Sequence, residues 1–226
     1  LDVMPVIMIL AGFKFAWDAS TKQREVEELR SSVKESELQF LKSQINPHFL
    51  FNNLNNLYSY AIEQSPKTPS IILELSSVLR YMLYDCNSEQ VNLSKEIDYL
   101  RNYIDLQQLK KDGEFNIKFE VEGEVKSVLI YPMLFIPFFE NAFKHGNLED
   151  TKNGWLQSEM KVANGSLYFF IKNTTLKEKT KSEKGGVGLE NVKARLNLLY
   201  PNRHILKVEK KEGIFEVQLE IQLSTF

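Results

Sequence analysis

The sequence predicts an α+β chain: an N-terminal helical hairpin, then an α/β sandwich with mostly antiparallel strands. Three observations carry this. Apolar residues recur at helical spacing between Ser20 and Lys111, with a proline-containing break at 63–70. Strict alternation starts at "FNIKFEVE" (115–122), directly after Asp112-Gly113. From there the segments run β, α, β, β, loop, α, β, β, the order of a sheet with helices on one face.

The bulk numbers bound the partners. The 226 residues suffice for one large domain or two small ones, and 43% hydrophobic with 26% charged residues is ordinary globular composition. Lys plus Arg is 28 against 30 for Asp plus Glu, a net charge of −2, which gives no electrostatic case for direct nucleic-acid binding. One cysteine, Cys86, excludes an internal disulfide and has no His/Cys cluster around it for a structural zinc.

Taken in order, residues 1–19 hold "VMPVIMILAGFKFAW", an apolar run interrupted by Lys14. It is shorter than the roughly 20 residues a bilayer span needs. It is expected to be the remnant of a transmembrane or juxtamembrane helix, with a buried or interfacial helix as the alternative. Residues 20–90 are expected to form a coiled-coil and dimerisation hairpin. Val26, Leu29, Val33, Ser36 and Phe40 are spaced 3-4-3-4, and Leu41, Ile45 and His48 continue the stripe. "INPHFLFNNLN" sets Pro47 and His48 inside this helix, and because proline removes a donor and crowds the preceding turn, a kink is expected there. After "EQSPKTPS" a second helix over about 70–85 aligns Ile71, Leu75, Val78 and Met82. Two such helices form an antiparallel hairpin whose stripes are expected to bury against a second copy, as a four-helix-bundle homodimer.

Residues 91–226 form the expected second domain. It opens with a linker helix over 92–111, with Ser94 as the expected N-cap. After the first strand comes an apolar helix, "PMLFIPFFENAFKHG", whose Phe135, Phe138, Phe139 and Phe143 read as core. "WLQSEMKVANGSLYFFIKN" is a hairpin turned by Asn164-Gly165. "GGVGLENVKARLNLLYP" is a glycine-rich turn opening a helix, and "HILKVEKKEG" with "IFEVQLEIQL" makes a last hairpin. His204, just after "YPNR", reads as a surface loop residue.

Two segments carry chemistry. In "PFFENAFKHG", Asn141, Lys144 and His145 sit three and four residues apart, on one helix face. An amide oxygen suits a hard cation, an ammonium suits phosphate oxygens, and the neighbouring Glu140 can accept a proton. In "GGVGLENVKARL", Gly185, Gly186 and Gly188 leave backbone N–H groups open to phosphates at a helix start. No Gly-Lys-Ser/Thr follows, so this is not a P-loop.

"ENAFKHG" resembles the N-box of the ATPase superfamily shared by gyrase, heat-shock chaperones, histidine kinases and mismatch-repair ATPases, and "GGVGLENVKARL" resembles its G2 box. "INPHFLFNNLN" resembles the phosphoacceptor motif of LytS/YehU-type sensor histidine kinases, and the three motifs together cover roughly residues 36–225. The resemblance implies a GHKL/Bergerat-type ATPase domain using ATP and Mg²⁺. It implies His48 as phosphoacceptor, Asn141 as Mg²⁺ ligand, and Lys144 and His145 as phosphate contacts. Gly186, Gly188, Leu189, Asn191 and Arg195 fall in the G2 segment, with support of its lid as the role of Asn191 and Arg195. Asn52, one turn beyond His48, is a candidate for orienting water in a phosphatase reaction. Expected partners are a response-regulator receiver domain, in this family often attached to a LytTR-type DNA-binding domain, and a membrane through an upstream region. The resemblance thus implies that the chain is the cytoplasmic portion of a bacterial inner-membrane protein.

Two positions depart from the family pattern. Asn173 stands where the G1 box usually presents an Asp to the adenine amino group, and the glycines after it are absent. An Asn carbonyl accepts that hydrogen bond without bringing charge, so weaker ATP binding is expected. Phe49 stands where many histidine kinases place an acid after the histidine, leaving Glu140 as candidate base. The competing readings are a pseudokinase-like dimeric scaffold and a serine-phosphorylating kinase of the same superfamily; the histidine-bearing hairpin speaks against the latter.

Overall fold

The structure, a computed structural model, describes residues 12, 14–17, 20–25, 27–29, 47–109, 115–150, 152–175 and 187–223, with backbone alone for Pro47, His48, Phe49, Asn87 and Val187. It divides into two compact units, Leu1–Asn52 and Asn53–Phe226. In the first, the described residues between 14 and 29 are helical and expose Phe15, Trp17 and Leu29. Apart from Leu29, the expected coiled-coil seam up to Ile45 lies outside the described residues, as does the chain just before Pro47 on which a kink would be judged. Among the described residues no helix is long and apolar enough to cross a membrane.

Helix α1 (Pro47–Ile62) contains the division between the units, and the Gln64 turn leads into α2 (Thr68–Leu83). Ile71, Leu75, Val78, Tyr81 and Met82 form the buried face of α2, the stripe expected from the 3.6-residue period with Tyr81 added. That face packs along α3 (Leu93–Gln108), where Tyr81 stacks on Tyr99 with ring centroids 4.7 Å apart. The Tyr60 hydroxyl of α1 donates to the Leu109 carbonyl at 2.5 Å, tying the hairpin to the end of α3. The expected boundary at residue 90 therefore falls inside the second compact unit, because α2 shares its core with α3.

The cap of α3 is Asn92, not Ser94. Asn92 is extended at ψ 133°, and its side-chain oxygen accepts from Ser94 N at 2.9 Å and the Ser94 hydroxyl at 2.7 Å. Asn92 also ends the short strand β1 (Val91–Asn92), which pairs with β3 (Leu129–Ile130) and so brings the start of α3 beside the segment leading to the next helix.

The main sheet has five strands: β2 (Asn116–Glu122), β4 (Trp155–Ala163), β5 (Ser166–Thr174), β6 (His204–Lys211) and β7 (Ile214–Gln222), in the order β2-β4-β5-β7-β6. Its pairs are antiparallel except β2 with β4, which run parallel because the chain crosses back through α4 (Ile136–His145). The Asn164-Gly165 hairpin turn has φ 52° and 73°, the left-handed pair that a two-residue turn requires. One face of the sheet buries Leu156 and Met160, then Leu167, Phe169 and Ile171, then Val217, Leu219 and Ile221. Phe135, Phe138 and Phe139 cover it, all three gathered around Phe169 at centroid distances of 4.9, 5.4 and 6.1 Å. Helix α5 (Val187–Leu199) lies against α4 and buries Val192 and Leu196. His204 opens β6 half-buried, its Nδ1 2.8 Å from the Tyr200 carbonyl, so it is a strand residue rather than a loop residue.

The helix expected to begin after Pro132 starts four residues later, at Ile136. Residues 132–135 form an irregular turn in which Met133 has φ 57°, a left-handed conformation that is strained for a side chain of this kind.

Candidate functional site

The site assembles at the C-terminal end of α4. Apolar positions Phe138, Phe139 and Ala142 turn that helix toward the sheet, which leaves Glu140 and Asn141 half-buried and Lys144 and His145 exposed at its tip. The helix closes on Gly146, whose N–H donates to the Ala142 carbonyl at 2.8 Å. Gly146 is required by space. A Cβ there would lie 2.2 Å from the Ala142 carbonyl oxygen and 3.1 Å from the Asn173 amide nitrogen. The next residue, Asn147, donates its N–H to the Thr174 carbonyl at 2.9 Å, which locks the tip of α4 to the end of β5.

Asn173 is the last buried residue of that strand, 2% exposed. Its Nδ2 donates to the Thr174 carbonyl at 2.8 Å, while its Oδ1 is buried without a hydrogen-bond partner among the described residues. A buried carbonyl oxygen left open is costly and marks a place where a donor belongs.

On the other side of α4, Gly188 in the first turn of α5 lies against Asn141: a Cβ on Gly188 would meet the Asn141 amide at 3.6 and 3.8 Å. The first turn of α5, the positive end of its helix dipole, is thereby brought to the side chain expected to carry the cation. Leu189 is half-buried and Asn191 exposed on the same turns. Gly185 and Gly186 lie outside the described residues.

Arg195 faces elsewhere. Its Nη2 donates to the Pro132 carbonyl at 2.6 Å and its Nη1 to the Met133 carbonyl at 3.2 Å, so it holds the turn ahead of α4. Burial keeps the Tyr99 and Tyr103 hydroxyls well above the ordinary tyrosine range, with the carboxylates of Glu96 and then Glu140 adding at Tyr99 and that of Glu140 at Tyr103. Asn52 is half-buried in α1, and His48 lies in the first turn of that helix.

Two residues escaped the sequence reading. Lys210 sits in β6 opposite Phe215 of β7, which is itself opposite Asn173 of β5, so the three share one row across the sheet. Partial burial, then the Lys144 and Lys210 ammonium groups, hold the His145 imidazole below its usual range. Only the strand register, which no local pattern announces, brings Lys210 to this end. The other is Glu96, at the opposite end of α4. Among the described residues no group of three or more His, Cys, Asp or Glu side chains is placed to hold a metal ion, so a cation here would rely on Asn141, phosphate oxygens and water.

A family model described as Histidine kinase matches residues 36–115. The sensor histidine kinase/phosphatase LytS of Staphylococcus aureus (strain MRSA252) is 35% identical over 121 residues, 54% of this chain and 21% of that protein, so the match spans about a fifth of the relative's length. Among solved structures, the histidine kinase domain of the Erythrobacter litoralis EL346 blue-light activated histidine kinase superposes with a TM-score of 0.45 at 18% identity, over 82% of this chain and 93% of that one. For Acinetobacter baumannii histidine kinase AdeS the TM-score is 0.44 at 12% identity, over 84% and 98%.

Proposed function

We propose that the chain, which matches the Histidine kinase family model over residues 36–115 and LytS at 35% identity, is the transmitter part of a two-component sensor kinase. It autophosphorylates on His48 with Mg²⁺·ATP and passes the phosphoryl group to an aspartate of a response-regulator receiver domain. One observation carries this reading above the others: α4 has Gly188 against its Asn141 and Asn173, with a buried open acceptor among the described residues, against Gly146 at its end.

The residues fit a nucleotide. The open Oδ1 of Asn173 accepts from an adenine amino group, and its orientation is set because Nδ2 is held by the Thr174 carbonyl. Asn141 would hold Mg²⁺, Lys144 and His145 would contact phosphates, and the G2 segment with Gly186, Gly188 and Leu189 would supply backbone N–H groups to them. The cation, when bound, neutralises charge on the transferring phosphoryl group. A neutral His48 imidazole attacks the γ-phosphorus in line. A P–N bond forms, the bond from that phosphorus to the β,γ-bridging oxygen breaks, and ADP leaves with the electron pair. The proton shed by the resulting imidazolium goes to a base, for which Glu140 is the candidate. Asn52 orients a water for the reverse dephosphorylation.

A homodimer is supported by α1, where Phe51, Leu54, Tyr58 and Ile62 are exposed at helical spacing. A membrane link through an upstream region and a LytTR-type regulator complete the reading. The rival, a scaffold with little or no turnover, is favoured by the neutral Asn173 and by the absence of glycines after it.

Incubation with γ-labelled ATP and Mg²⁺ decides between them. The kinase gives acid-labile, base-stable label that vanishes in His48→Gln. ATP binding without label supports the scaffold, and acid-stable label points to serine.

A further inference from the structure

Glu96 belongs to none of the motifs above, yet it is fully buried in α3 at 0% exposure. Its carboxylate meets donors from two directions. From α2 the Tyr81 hydroxyl donates to Oε2. From the turn ahead of α4, Met133 N donates to Oε2 at 3.0 Å, Leu134 N to Oε1 at 3.0 Å and Phe135 N to Oε1 at 3.5 Å. Burial pushes the Glu96 carboxyl up and these hydrogen bonds pull against it. Donors surround the group, the arrangement that satisfies an acceptor-only carboxylate.

The turn so held is the strained one. Met133, at φ 57°, has its N–H on Glu96 and its carbonyl on Arg195. Its backbone is gripped on one side by α3 and on the other by α5, and the Glu96 grip is shared with α2 through Tyr81. Ile136 follows as the first residue of α4, and Asn141 sits in that same ten-residue helix.

The geometry points to Glu96 as a positioning residue that couples hairpin helix α2 to the nucleotide helix α4. A displacement of Tyr81 is passed through the carboxylate to the 133–135 backbone and from there to Asn141. This deepens the kinase reading and rests on it for its functional consequence. The structural coupling, however, can be read without nucleotide.

The test uses the whole chain with Tyr81→Phe, which keeps the ring that stacks on Tyr99 and removes only the donor. Amide hydrogen exchange over 131–146 is expected to rise about tenfold, the loss of one hydrogen bond to a charged group, while β4 and β5 stay as in the wild type. The KM for Mg²⁺·ATP is expected to rise by about tenfold with kcat changed less than about threefold, as for weakened binding. Unchanged exchange over 131–146 overturns the coupling whatever the kinetics. Faster exchange with unchanged KM overturns the positioning role. Faster exchange in a protein whose wild type binds no ATP overturns the kinase reading and leaves the coupling standing. Glu96→Gln, which sets an amide N–H₂ among donors, is expected to move exchange in the same direction and further; an unchanged 131–146 segment in that variant also overturns the proposal.

Discussion

The two ends of α4 are built on opposite principles. At its head, Pro132 through Ile136 are buried, and the carboxylate of Glu96 and the guanidinium of Arg195 take up the backbone N–H and carbonyl groups of the turn. At its tip, about 15 Å along the axis, Lys144 and His145 are exposed and the Asn173 acceptor is left open. The strain and the burial sit at the head, and the unfinished polar chemistry sits at the tip. A helix anchored firmly at one end can present loosely satisfied groups at the other without losing its place, which is what a site that binds and releases a charged ligand requires.

Three experiments sharpen this contrast. The largest effect is expected from Phe138→Ala on the buried side of the helix, where the ring is 1% exposed and packs on Phe169. A loss of about 3–5 kcal/mol is expected in denaturant unfolding, with nucleotide binding lost only as the fold is lost. At the tip the pattern reverses. Asn141→Ala is expected to leave the unfolding midpoint within about 0.5 kcal/mol of wild type while Mg²⁺-dependent ATP affinity, measured by calorimetry, falls about a hundredfold. A large stability loss in Asn141→Ala would erase the distinction. The smallest effect concerns charge alone. Because partial burial and the neighbouring Lys144 and Lys210 disfavour imidazolium, His145 titrates below the usual histidine value. Lys210→Gln removes a cation, so the His145 midpoint followed by NMR is expected to move up toward the ordinary value; no movement would remove Lys210 from the site.

Much of the architecture could be read locally. Alternation in "FNIKFEVE" foretold β2, and Asn164-Gly165 foretold the turn that the backbone adopts. The helical spacing of Asn141, Lys144 and His145 already put them on one face. Local patterns also misled. Ser94 is a good capping residue, but Asn92 precedes it with its oxygen already on the Ser94 N–H. Apolar residues from Pro132 onward look like one continuous helix. A carboxylate from α3 instead binds the N–H groups of 133–135, which a helix would have left free, and the helix waits until Ile136.

Glu96 shows the limit most clearly. A glutamate in the first turn of a polar helix is ordinarily a solvated residue that favours the helix dipole, and nothing within ten residues marks it otherwise. Its burial depends on α2, on the turn at 132–135 and on α5 arriving together.

Periodicity and residue chemistry over a few turns were enough for the helix from Thr68, the linker helix, the five strands of the main sheet and the two helices that cover it, while the short strands β1 and β3 left no local signal. Tertiary structure alone decided which polar groups are closed and which stay open. It closed Glu96 at the head of α4, left Asn173 open at the tip, and carried Lys210 across two strands to the same end of the sheet. Burial and partner choice are properties of chain segments far apart in sequence, and a residue acquires them only when those segments meet.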